Sequence, residues 1–112
     1  MYAVLMYFIS FLDINNNIRV QQVVDLKEIL KESLIPVYWV CGNHDIGNKP
    51  NDSTINWYNQ HFGQDYYTMC YDGVLFVILN SQYMMRWVKI HQAEKQMDWF
   101  KKLLMKYFFQ FL

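Results

Sequence analysis

The sequence predicts an α/β fold, on three observations. A helical stretch is followed, across a proline, by a wholly apolar run. Two strand-like runs are joined by Asp72-Gly73. A long amphipathic stretch closes the chain. A helix leading into a buried strand is one step of a layered helix-and-sheet architecture.

The elements follow in order. Asn15, Asn16 and Asn17 read as a turn. From Val20 the pattern is helical. Val20, Val23, Val24, Ile29, Leu30 and Leu34 fall mostly on one side, and Lys27, Glu28, Lys31 and Glu32 on the other. Pro36 ends this helix, because proline disfavours helical geometry in the residue before it. Residues 37–41 (Val-Tyr-Trp-Val-Cys) read as a strand apolar on both faces, as in a covered parallel sheet. Residues 42–51 are rich in Gly, Asn and Pro and read as a loop. Asp52 or Ser53 is the expected cap of a helix reaching His61, with Gly63 as its stop. Residues 66–70 and 74–79 are strand-like. The Asp72-Gly73 pair between them favours the positive backbone dihedrals of a tight hairpin. The last helix is expected over 91–108, with Ala93, Met97, Phe100, Leu104 and Phe108 in phase.

Composition narrows the function. Of 112 residues, 54% are hydrophobic and 19% aromatic. A chain this short buries only about two thirds of its unfolded surface, so some apolar surface is expected to need a partner. Net charge is +0, which argues against a nucleic-acid surface. Cys41 and Cys70 lack the spacing of a disulfide framework or a paired zinc site. They read as buried free thiols of a reducing compartment, and the expected location is cytoplasmic. Residues 1–12 are almost wholly apolar. They are shorter than the roughly 20 residues needed to cross a bilayer. They also lack the basic start and small-residue cleavage site of a secretory signal. No membrane partner is expected.

The chemistry concentrates in Gly42-Asn43-His44-Asp45, directly after the apolar run. Ligands of open α/β sheets gather at the carboxyl ends of strands. Gly42 permits a sharp bend and close approach of the backbone. Asn43 offers a neutral amide oxygen, a hard ligand for a divalent cation. His44 suits hydrogen bonding to a phosphate oxygen, or protonation of a leaving group. Asp45 suits the holding of an imidazole in one tautomer.

Gly-Asn-His-Asp after an apolar strand resembles a signature block of the calcineurin-like metallophosphoesterases. The longer run Gly42-Asn43-His44-Asp45-Ile46-Gly47-Asn48-Lys49-Pro50 resembles the branch of calcineurin-like phosphoesterase domain-containing protein 1, a serine/threonine protein phosphatase. So do the stretches from Asp25 to Pro36, Phe62 to Tyr67, Gly73 to Gln82, and Gln96 to Phe100 with Trp99. The resemblance implies a partial metallophosphoesterase-type sheet sandwich flanked by helices over 20–104. It leaves an unmatched leader, 1–19, and an unmatched tail, 105–112. Both ends have the composition of translated AT-rich sequence, and the chain is expected to be a central fragment. The resemblance makes Asn43 a ligand of the second metal ion, and gives His44 the contact with phosphate and help to the leaving group. Asp45 becomes the partner of His44. The implied reaction is phosphoester hydrolysis with two divalent ions and a metal-activated water attacking phosphorus. The implied substrates are a phosphorylated protein or a small phosphoester.

The family needs more than this chain contains. The only histidines are His44, His61 and His91, so Asp-x-His and Gly-His-x-His are both absent. No glycine is followed by aspartate. Binding of both ions by this chain alone is therefore doubtful, since one neutral amide holds no divalent ion tightly. The alternative to an enzyme is a non-catalytic truncated product or binding fragment, docking with missing domain halves or with itself.

Other residues carry weaker readings. Asn80 and Ser81 end a strand, and either line a substrate pocket or form a strand-ending turn. His61 reads as a capping or exposed side chain and His91 as solvated. Trp39, Trp57, Trp87 and Trp99 read as core or interface. Met84, Met85 and Met97 read as packing fillers, and Lys101, Lys102 and Lys106 as a solvated face.

Overall fold

The computed structural model describes residues 16–108; the expectations for residues 1–15 and 109–112 fall outside them. Four helices, α1 (Asn16–Leu30), α2 (Asn43–Ile46), α3 (Asp52–Phe62) and α4 (His91–Phe108), accompany strands β1 (Tyr67–Tyr71) and β2 (Val74–Ile78) and a 3-10 turn over Ser81–Met84. The chain thus mixes helix and strand, with a two-stranded antiparallel sheet among the described residues. No helix among them is long and apolar enough to cross a membrane.

The hairpin forms where Asp72-Gly73 demanded it. Asp72 has φ 50° and Gly73 φ 79°, the two positive values that match a tight turn to strand twist. Register follows, with Tyr71 opposite Val74 and Tyr67 opposite Ile78. The period-2 geometry places Cys70 on the exposed side of β1, so the expectation that both cysteines are buried is corrected: only Cys41 is.

Helix α3 ends at Gly63, whose N–H donates to the Asn59 carbonyl at 3.1 Å with φ 89°. Its cap lies one residue before the expected position. The Asn51 side chain accepts from the Thr54 N–H at 3.0 Å, and the Asn51 N–H donates to the Thr54 hydroxyl. Each half satisfies a donor that the first helical turn leaves open.

Helix α3 joins two small cores. Tyr58 and Phe62 pack with Val23, Cys41 and Ile46, flanked by Leu26, Trp39 and Trp57. Ile55 packs with Tyr83 and Val88, flanked by Tyr66, Ile90 and Ala93. The spacing of 55, 58 and 62 keeps these three on one helix face.

Four further expectations are corrected. Asn16 and Asn17 begin α1 instead of forming a turn, since nothing in Asn forbids helix. Helix α1 stops at Leu30, and the Ser33 hydroxyl bonds the Ile35 backbone, a local alternative to helical pairing. Residues 37–41 form no strand. Their tie to the sheet is the Tyr67 hydroxyl, which donates to the Trp39 carbonyl at 2.8 Å. A strand exists only with a paired neighbour, and β1 pairs with β2 instead. Residues 42–51 are not simply a loop, because α2 lies within them.

The apolar stripe of α4 is mostly uncovered: Leu104 is 46% exposed and Phe108 68%. Met84, Met85 and Met97 are exposed too, so they do not fill gaps in the core. Val24 and Ile29 repeat this on α1. Lys101, Lys102 and Lys106 form the solvated face expected of them.

Candidate active site

The Gly42–Asp45 block sits where the apolar run ends and α2 begins. Gly42 is the residue before the helix, with φ −123° and ψ −178°. That is extended backbone, which then turns abruptly into helix. The carboxylate of Asp45 fixes this turn: its Oδ2 accepts from the Gly42 N–H at 2.6 Å. Asp45 is buried at 2% exposure, and the bond it accepts is part-buried. The Ile46 side chain, fully buried in the first core, pins the other end.

Asn43 is exposed at the first helical position, and its carbonyl accepts from the Gly47 N–H at 2.8 Å. His44 occupies the next position of α2. Asn43 therefore presents an amide at the surface of a braced turn. The bond from Asp45 to the backbone is a role that the sequence did not suggest for that carboxylate.

Burial governs the ionisable groups behind the turn. It pushes the Cys41 thiol well above its ordinary range, and the charges of Asp65 and Asp45 push it further. It pushes the Tyr58 hydroxyl up as well, with Cys41 and Asp45 adding to it. These groups stay protonated at neutral pH and are not nucleophiles. The Tyr58 hydroxyl, 2% exposed, has no hydrogen-bond partner among the described residues.

Asn80 and Ser81 are separate from this turn in character. Asn80 is wholly buried. Its N–H donates to Gln96 Oε1 at 2.8 Å, and its carbonyl accepts from Gln96 Nε2 at 3.1 Å. Its Nδ2 donates to Asp65 Oδ2 at 3.0 Å, and its Oδ1 accepts from the Gln82 N–H at 3.1 Å. The residue ties β2 to α4 and to the start of β1. Ser81 is exposed beside it. Asp65 and Gln96 were not singled out from sequence; their one signal is that they lie in stretches quoted for the resemblance.

His61 Nδ1 lies 2.7 Å from the Trp57 carbonyl, and its ring stacks on Trp57 at 4.3 Å, which fits a capping side chain. His91 is solvent-exposed beside Glu94. Trp39 packs against Phe62 at 5.0 Å, and Trp99 against Tyr66 at 5.0 Å. Trp87 instead is exposed, and its Nε1 donates to the Asn48 carbonyl at 2.8 Å.

Two clefts of about 370 and 510 Å³ run beside β1 and share Gln64, Tyr67 and Thr68. Neither is lined by Asn43 or Asp45. Among the described residues no three His, Cys, Asp or Glu side chains converge on a point that would hold a metal ion. The donor set, one neutral amide beside a carboxylate committed to backbone, does not fit a two-ion site by itself.

No family model matches the chain, and no solved structure matches it. Curated proteins do. Serine/threonine-protein phosphatase CPPED1 of Homo sapiens is 43% identical over 67 residues, which is 58% of this chain and 21% of that protein. The Mus musculus protein of the same name is 43% identical over 68 residues, 59% of this chain and 22% of that protein. The Danio rerio protein is 42% identical over 67 residues, with shares of 58% and 22%. The chain thus spans about a fifth of the length of the curated relatives it matches, and over that stretch it is a homologue of CPPED1, the calcineurin-like phosphoesterase domain-containing protein 1.

Proposed function

We propose that the chain carries one block of a phosphoesterase site that hydrolyses phosphoserine and phosphothreonine esters, in the cytoplasm. Within that site Asn43 is a metal ligand, and His44 contacts the phosphoryl group and donates a proton to the departing alkoxide as its P–O bond breaks. Asp45 holds the turn, and with it His44. Asn80 and Ser81 stand at the substrate side. Two divalent ions are the cofactors of the complete site, within a sheet sandwich flanked by helices. The remaining ligands are not among these 112 residues, so the isolated chain is expected to show no turnover.

The observation that carries this reading is the braced Gly42–Asp45 turn in a chain 43% identical to proteins named as phosphatases. The test grafts residues 20–104 into the CPPED1 framework and follows hydrolysis of an aryl phosphate with manganese present. The graft is expected to turn over, and Asn43→Ala to lower its rate at least tenfold through loss of a ligand. A folded graft without activity, or an unchanged Asn43→Ala, removes the reading.

A second reading, a non-catalytic fragment that docks on another chain, is favoured by the uncovered stripes of α1 and α4. Turnover of the graft separates the two, since a segment that serves only for docking leaves the graft inactive.

A further inference from the structure

Asp65, between α3 and β1, is a buried carboxylate surrounded by neutral partners. It is 7% exposed. Its Oδ2 accepts from Asn80 Nδ2 at 3.0 Å. The Asn59 amide, turned so that its nitrogen faces the acceptors, donates to Asp65 Oδ1 and to the Gly63 carbonyl, each at 3.2 Å. The Tyr83 hydroxyl adjoins the same carboxylate. Among the described residues Asp65 is in no ion pair. Buried charges are ordinarily paired. A carboxylate offers about four lone-pair sites, so the two amides leave room for a further donor.

The larger cleft beside β1 reaches this carboxylate. Asp65 lines it together with Asn59, Gln64, Tyr66, Thr68 and Trp99. Asn59, bonded to Oδ1, lines the cleft as well, which sets that oxygen at its wall. The volume, about 510 Å³, is that of a small-ligand site. The rings of Tyr66 and Trp99 meet at 5.0 Å with 54° between their planes, and together they form an aromatic wall. Gln64 and Thr68 are exposed and add neutral hydrogen-bonding groups. Among the described residues no lysine or arginine lines the cleft; Lys95 and Lys102, one turn either side of Trp99 on α4, are exposed. Burial, and after it the charge of Asp65, push the Tyr66 hydroxyl up, so the field of the carboxylate reaches the aromatic wall.

We propose that this cleft is a binding site for a guanidinium group. Such a group is planar and always charged, forks onto a carboxylate and stacks on an aromatic face. One ligand therefore answers both the uncompensated charge of Asp65 and the ring wall of Tyr66 and Trp99. An ammonium is a compact, strongly hydrated point charge and matches the carboxylate alone. The source is an arginine side chain of a peptide or a small guanidinium compound, and the chemistry recognised is the same. The inference does not rest on the phosphoesterase reading.

Isothermal titration of the 112-residue chain at low ionic strength tests it. The probe is N-acetyl-arginine methylamide, and the reference is the citrulline analogue, its neutral isostere. The arginine probe is expected to bind about tenfold more tightly or better, the worth of one charge-assisted contact. Asp65→Asn is expected to abolish that preference. Asp65 also accepts from Asn80 and Asn59, so the thermal midpoint of this variant is read beside the titration. Trp99→Leu is the second variant. Trp99 belongs to neither core, and its loss is expected to weaken the arginine probe about threefold or more. A glycine-arginine-glycine peptide separates the sources: tighter binding than the capped amino acid points to a protein segment, equal binding to a free compound, and either supports the site. Equal affinity for the arginine and citrulline probes, no binding, or an arginine preference kept in Asp65→Asn overturns the proposal. Should Asp65→Asn fail to fold, an arginine affinity unchanged in Trp99→Leu overturns it.

Discussion

Asp45 reaches back three residues to accept the Gly42 N–H at 2.6 Å, and this one bond converts extended chain into the turn that presents Asn43. The carboxylate is buried and the bond part-buried. Asp45→Ala is expected to destabilise the chain by roughly 0.5–2 kcal/mol, the usual cost of losing a helix cap. Urea denaturation measures it. A change below about 0.5 kcal/mol, the usual range for an uninvolved surface position, would show that the turn holds without the brace.

Asn80 and Gln96 exchange two hydrogen bonds, and both are buried. Both bonds run between the Gln96 side chain and the Asn80 backbone, so Gln96→Ala strands a buried N–H and carbonyl, whereas Asn80→Ala keeps both bonds and loses those to Asp65 and Gln82. Gln96→Ala is expected to destabilise the chain by roughly 1–3 kcal/mol, the usual cost of an unsatisfied buried group, as urea denaturation would show. A change below about 0.5 kcal/mol would mean that the strut adds no stability.

The two cysteines are expected to behave differently. Cys70 is exposed and Cys41 buried, with the Cys41 thiol pushed up by burial. At pH 8 iodoacetamide is expected to label Cys70 alone, and to reach Cys41 after urea unfolding, as mass spectrometry would show. The same burial makes stability depend on alkaline pH. The raised Cys41 group contributes fully below its ordinary value of 9.0. Above that, the unfolded chain releases a proton that the folded chain keeps, and stability falls by up to about 1.4 kcal/mol per pH unit. Tyr58 and Tyr83, also raised by burial, add to the fall above their ordinary 10.0. Cys41→Ala is expected to delay the fall; a urea midpoint flat from pH 8 to 11 would contradict this.

The open stripe of α4 predicts association. Leu104 and Met105 are 46% and 60% exposed. Replacing both with glutamate is expected to leave helix content unchanged and to reduce self-association in analytical ultracentrifugation. An unchanged sedimentation profile would show that this face is not what brings copies together.

Signals that act over a few residues were legible in the sequence. Asp72-Gly73 demanded positive dihedrals and received them. Gly63 stopped α3, and the 3.6-residue pattern marked α4 from its start at His91 through the described residues. Residues 37–41 were misread because an apolar run states that it wants burial and not that a neighbour exists to pair with it. The four-residue helix α2 was missed because Gly and Asn suggest a turn, although aspartate three residues after glycine was a capping signal. Amphipathicity marked which face of α4 was apolar and could not say what covers it. The Trp87–Asn48 contact spans 39 residues and has no local signature. A sharp bend at Gly42 was legible; the buried strut of Asp65, Asn80 and Gln96 was not, because polar residues declare no partners.

The most direct test of the assignment is hydrolysis of a phosphoserine peptide by the CPPED1 framework carrying residues 20–104, with His44→Ala as the comparison. The account predicts that kcat falls by about 10²–10⁴, the worth of a positioned proton donor, while the thermal midpoint is unchanged. Equal kcat in the two proteins would contradict it.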